Sequence, residues 1–161
     1  MQADEEIIEM MNGCICCTVR QDLIVVLEKL AKRQAAGTLK LDGIIIETTG
    51  MADPAPVAQT FFVDDKVKKH FRLDGIVTLI DAKHIEQHLD EEKPEGAENE
   101  AVEQVAFADR LLLNKTDLVE EADLVRIEKR LKSMNASAKI QRCCKATRLL
   151  RLHSAQSWLT C

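Results

Sequence analysis

The sequence predicts an α/β domain built on a mostly parallel sheet flanked by helices. Two observations carry this prediction. First, residues 41–50 (LDGIIIETTG), 73–84 (LDGIVTLIDAKH) and 108–118 (ADRLLLNKTDL) are each a short apolar run, β-branched or leucine-rich, that ends abruptly in a polar residue. Continuous runs of this length fit strands covered on both faces, as in a parallel sheet. Second, the stretches between them have helical character, so the chain alternates β-α-β-α-β.

In chain order, residues 22–34 place leucines and valines at helical spacing and stop near Gly37. The first expected strand follows, and Asp53-Pro54 then offers an N-cap with a first-turn proline. The second expected strand leads into residues 90–100 (DEEKPEGAENE), whose charge and Pro/Gly content mark an exposed, mobile loop. A helix over residues 98–108 runs straight into the third strand. In such sheets ligands sit beyond the carboxyl ends of the strands, where this sequence has Glu47, Asp81 and Asn114.

With 161 residues the chain can close one core, and no apolar run approaches the roughly 20 residues that span a bilayer. The first ten residues contain no basic region leading into an apolar stretch, so a reducing cytoplasmic or nuclear setting is expected and the six cysteines read as ligands more readily than as disulfides. The net charge of −5 is uneven: residues 1–128 hold 14 basic and 27 acidic side chains, and residues 129–161 hold eight basic and no acidic ones. A basic end could meet nucleic acid, but Trp158 is its lone aromatic and gives no stacking pattern, so nucleic-acid binding is not expected.

Asn114-Lys115-Thr116-Asp117 directly follows three leucines. A carboxylate at the last position can accept both the ring N–H and the exocyclic amine of guanine, a pair that adenine does not present. The lysine stem can lie over the ring and the asparagine can brace the loop. Glu47-Thr48-Thr49-Gly50 closes the first expected strand; the acid could hold a magnesium-bound water or orient the attacking water, and Gly50 would let a backbone N–H approach the γ-phosphate. A phosphate cradle of the form G-x-x-x-x-G-K-[ST] is absent from the sequence, since none of its six glycines begins or completes that pattern.

Cys14-x-Cys16-Cys17 admits three readings. Thiolates hold zinc tetrahedrally at about 2.3 Å, and this turn could supply two or three of four ligands. Cys14 and Cys17 also have redox spacing, though Cys16 would then be superfluous. Buried inert cysteines are the third possibility. His84 and His88 stand four apart, a spacing shared by metal-ligating pairs, but a solvated helix face accounts for them more simply.

Together, EEIIEMMNGCICCTVR, ETTG followed by ADP, VTLIDAKH and QVAFADRLLLNKTDL resemble the CobW-type GTPases, also called the zinc-regulated GTPase metalloprotein activators, and their eukaryotic branch in particular. The resemblance covers residues 5–140. It implies a P-loop-NTPase-like fold and a GTP-hydrolysing metallochaperone that loads zinc into client metalloenzymes; for the eukaryotic branch the implied client is a methionine aminopeptidase. Carried over, Cys14, Cys16 and Cys17 match the zinc motif, Asn114, Lys115, Thr116 and Asp117 the guanine motif, and Glu47 to Gly50 the magnesium and water loop, with Glu47 as the catalytic acid. The expected cofactors are Zn2+ and GTP with Mg2+. A helix starting near Thr18 would aim its N–H groups and dipole at phosphate, with Arg20 in its first turns.

The sequence departs from the family at both ends. The family's N-terminal strand and phosphate loop are lacking, and residues 141–161 have no likeness to it. The expected organisation is therefore a partial GTPase domain over residues 1–140 and an unrelated, disordered basic tail over 141–161, as in a truncated form that does not hydrolyse GTP alone. Two other functions fit less of the pattern: a non-enzymatic zinc-binding remnant, and a plain regulatory GTPase, which has no use for the cysteines. Cys143, Cys144 and Cys161 receive no role.

Overall fold

The structure is a computed structural model and describes residues 6–9, 16–50 and 52–145, leaving aside the side chains of residues 16–19. The chain divides into two compact units, Met1–Lys40 with Pro56–Phe71, and Leu41–Ala55 with Arg72–Cys161.

In the first unit the expected leucine-spaced helix forms as α1 (Cys16–Ala35), starting two residues before Thr18. Leu23, Leu27, Leu30 and Ala31 recur at helical spacing and are buried. Gly37 ends it, taking φ +71 so that its N–H and that of Thr38 reach back to the carbonyls of Gln34 and Arg33. Next comes α2 (Ala55–Val63), whose first N–H donates to Asp53 Oδ1 at 2.8 Å, as the Asp-Pro pair predicts. Asp64 then caps α3 (Asp65–His70), accepting from the N–H groups of Lys66 and Val67. A Lys66–Glu28 ion pair at 2.9 Å links α3 to α1.

The second unit holds a three-stranded parallel sheet in the order β1-β2-β3. Two of its strands are those expected, β1 (Val77–Asp81) and β2 (Arg110–Asn114). Between them run α4 (Ile85–Leu89) and α5 (Glu100–Phe107), the latter capped by the Asn99 side chain. After β2 come a 3₁₀ turn (Thr116–Leu118), α6 (Glu121–Met134) and β3 (Lys139–Arg142). The pairing aligns Asp81 with Asn114 and Leu113 with Arg142. Leu111, Leu112 and Leu113 are fully buried, as a central strand covered on both faces requires. One face packs Leu111 and Leu113 with Ile80, Val105, Leu124, Ile127 and Leu131.

Asn135 pins the junction of α5, α6 and β3. Its Nδ2 donates to the carbonyls of Val105, Ala106 and Ala108, and its Oδ1 accepts from Ala138 N–H and the Ser137 hydroxyl. Arg126 and Arg130 on α6 reach Glu86 and Asp90 at the two ends of α4.

The segment expected as the first strand, residues 41–50, is not a strand. An apolar run becomes a strand only beside a ladder partner, and among the described residues none lies alongside it. β1 accordingly pairs on one side only, and Ile45, Val77 and Leu79 are 61%, 44% and 51% exposed.

Candidate functional site

Asp81 and Asn114 end adjacent parallel strands in register, so they converge at the carboxyl edge of the sheet. The Ala82 N–H donates to Asn114 O at 2.9 Å, extending the pairing one residue further. At Lys115 the backbone turns sharply, with φ +59, ψ +31 in the left-handed region. The Leu118 N–H then closes a turn on Lys115 O at 3.0 Å. Lys115 and Asp117 are left exposed and Asn114 and Thr116 half-buried. This reversal ends the strand's alternation at Lys115.

Lys115 Nζ meets Asp81 Oδ2 at 2.8 Å, where His84 Nδ1 also lies at 3.0 Å, and the Lys83 N–H donates to Asp81 Oδ1 at 2.9 Å. Burial alone would push the Asp81 carboxyl up. The hydrogen bonds from Lys115, His84 and the Lys83 N–H outweigh it and hold the group well below the usual carboxylate range. His84 is thus engaged with Asp81 just ahead of α4, which separates it from the helix-face pair with His88 that the spacing suggested. Among the described residues no group of three or more His, Cys, Asp or Glu side chains is placed to hold a metal ion.

A second run of chain closes on the motif. The Cys143 N–H donates to Leu113 O at 2.8 Å, continuing the β2–β3 ladder past Arg142. Cys143 Sγ, 5% exposed, lies 3.6 Å from Asn114 Oδ1. Thr116 Oγ1 is 3.3 Å from Cys143 O and 3.2 Å from Cys144 Sγ. No role could be read for these cysteines from sequence, because their nearness to residues 114–117 comes from strand register, not from spacing along the chain.

The remaining expected residues are more scattered. Glu47 is exposed. Gly50 offers its carbonyl to Gln104 Nε2, which also binds Ala52 O, and so lines a cavity of about 440 Å³ along β1 together with Asp81, His88, Lys93 and Asn99. Arg20 is half-buried in α1 of the other unit. Cys14 lies outside the described residues. Cys16, Cys17 and Thr18 form the start of α1, and their side chains are likewise outside the description.

A parallel α/β sheet with a tight polar turn at its carboxyl edge is the architecture of a nucleotide-binding protein. Residues 1–142 match the CobW/HypB/UreG nucleotide-binding domain, and the chain belongs to that family. It is 43% identical over 136 residues to zinc-regulated GTPase metalloprotein activator 1 of Schizosaccharomyces pombe, covering 84% of this chain and 31% of the relative. To the zinc chaperone YjiA of Escherichia coli it is 38% identical over 129 residues, covering 80% of this chain and 38% of that protein. The crystal structure of Zn(II)-bound YjiA GTPase superposes with a TM-score of 0.66 at 36% identity, covering 74% of this chain and 35% of that one. The chain therefore spans about a third of the length of these relatives. No described helix is long and apolar enough to cross a membrane.

Proposed function

We propose that this chain is the guanine-reading and zinc-carrying part of a GTP-dependent zinc metallochaperone that delivers zinc to client metalloenzymes. One observation carries the nucleotide half: Asn114, Lys115, Thr116 and Asp117 form a tight turn at the carboxyl edge of a parallel sheet, with Lys115 anchored through Asp81 and the Asp117 carboxylate exposed. In this reading Asp117 accepts the two N–H groups of the guanine edge and the Lys115 stem covers the ring. Asn114 and Thr116 hold the turn in shape. Glu47 and Gly50 serve the γ-phosphate end, with Mg2+ neutralising phosphate charge there, and Thr18 and Arg20 add phosphate contacts.

Zinc is cargo in this scheme, and Cys14, Cys16 and Cys17 are its carriers. The reading draws support from the relatives, which are named zinc chaperones and zinc-regulated activators. The proposed client is a methionine aminopeptidase. Because the sequence has no phosphate cradle, the 161-residue chain itself is proposed not to hydrolyse GTP.

The deciding experiment is nucleotide binding by calorimetry with GDP, ADP and xanthosine diphosphate. GDP should bind and ADP should not, and Asp117→Asn should move the preference to xanthosine diphosphate, because an amide offers a donor where the carboxylate accepted. Equal affinity for GDP and ADP would overturn the reading. A chelator competition for zinc, with and without a Cys14/Cys16/Cys17→Ser variant, tests the cargo half. Coupling between the two is reciprocal: whatever factor GTP applies to zinc affinity, zinc must apply to GTP affinity.

A further inference from the structure

His84 is spent in an unusual way for its position. It is the N-cap residue of α4, yet its side chain makes no capping hydrogen bond. N-caps are commonly short polar side chains that accept from helix N–H groups. Here the ring turns back to β1 instead: its Nδ1 lies 3.0 Å from Asp81 Oδ2, and the His84 N–H closes a turn on Asp81 O at 3.2 Å. The same Oδ2 takes Lys115 Nζ at 2.8 Å, while Oδ1 takes the Lys83 N–H at 2.9 Å. Burial would raise the Asp81 carboxyl, but these hydrogen bonds outweigh it and keep the group ionised. An ionised carboxylate only accepts, so the proton of the His84 ring sits on Nδ1.

We propose that His84 is a positioning residue for nucleotide binding, locking the Asp81 carboxylate in the orientation that holds the Lys115 stem over the base. The inference rests on the guanine reading of residues 114–117. His84 touches no nucleotide in this scheme and acts only through Asp81 and Lys115. The terminal torsion of an aspartate is soft, and a single backbone N–H on Oδ1 leaves the carboxylate free to rock. A ring donor on Oδ2 removes that freedom, so the lysine finds its acceptor in one place. The need is real at Lys115, whose side chain is half-exposed and has the rotamer freedom of a long stem. Cover by the stem is indifferent to the edge of the base, which Asp117 reads. Loss of His84 therefore weakens guanine and hypoxanthine nucleotides by the same factor. Because the ring does not cap α4, its loss leaves the helix and the stability of the fold nearly unchanged.

The test measures GDP and inosine diphosphate affinity by calorimetry for the full chain, for His84→Ala, for Lys115→Met and for the double variant. His84→Ala should weaken both nucleotides alike by about threefold to fivefold, the scale of a half-exposed hydrogen bond to a charged group, with a melting temperature nearly unchanged. Lys115→Met keeps a stem over the base but lacks the ammonium that Asp81 holds. In that background His84→Ala should cost nothing further, since non-additive losses mark groups that act through one another. Losses that multiply, a changed ratio of GDP to inosine diphosphate affinity, or unaltered GDP affinity in His84→Ala would each overturn the proposal. Two NMR measurements judge the tie without nucleotide. Nitrogen-15 spectra at about pH 8.5, where imidazoles are generally neutral, should place a proton on His84 Nδ1, and a bare Nδ1 would overturn the proposal. Relaxation of the Lys115 ε-methylene should show faster motion in His84→Ala, and unchanged motion would overturn it too. Failure of the unaltered chain to bind GDP overturns the guanine reading instead, and the two NMR measurements still decide whether His84 orders Lys115.

Discussion

At Asp81 a single carboxylate serves Lys115, His84 and the Lys83 N–H, so the end of β1 and the Asn114–Asp117 turn after β2 are tied through one side chain. Its depressed carboxyl fixes the sign of its pH dependence. The stabilisation is complete above the ordinary carboxylate range, near pH 4, and is lost as pH falls below it toward the folded value. Carbon-detected NMR titration should find Asp81 ionised at a pH where Asp side chains in peptides are protonated. Asp81→Asn should flatten the acid limb of stability and cost only about 1 kcal/mol at neutral pH, because Lys115 is half-exposed. The Asn-Lys-Thr-Asp string was readable as four contiguous residues after an apolar run, and its place at the end of β2 follows from that run. Asp81 was legible only as a strand end. Its contact with Lys115 depends on the parallel register of β1 and β2, which no local spacing encodes.

The elements divide along the same line. β1 and β2 were readable because their apolar runs are long enough to need cover on both faces. β3, Lys-Ile-Gln-Arg, was not, since four mostly polar residues carry no burial signal; its place is set by α6 and Asn135. Residues 41–50 misled for the converse reason: their composition is that of a buried strand, but strand formation is decided by a neighbour. Asn135→Ala should cost roughly 2–4 kcal/mol in urea unfolding, because it strips the donors from the carbonyls of Val105, Ala106 and Ala108, two of them in buried bonds. Asn135→Asp, which cannot donate from both positions, should cost no less. The outer edge of β1, which has no strand partner among the described residues, is a second weak element, with Val77 and Leu79 exposed. Leu79→Lys should leave the melting temperature of dilute protein nearly unchanged and reduce association in sedimentation velocity as concentration rises.

For the whole molecule, the turn at Asn114–Asp117 and helix α1 fall in different compact units. On the proposed function, local changes around β1 to β3 should abolish nucleotide binding and leave zinc binding in place. On the same reading, purified chain saturated with Mg-GTP should show no turnover above buffer in a phosphate-release assay, and measurable turnover would refute the reading that the phosphate cradle is needed. Lys115 sets a further condition on how this chain can vary. A lysine held at φ +59 costs about 1 kcal/mol that a glycine would not. Lys115→Gly removes that cost but also the ion pair with Asp81, so the melting temperature should change little. The strained backbone at position 115 is thus offset by the Asp81 contact, and a variant that relaxes the turn gives up the side-chain tie between the ends of β1 and β2.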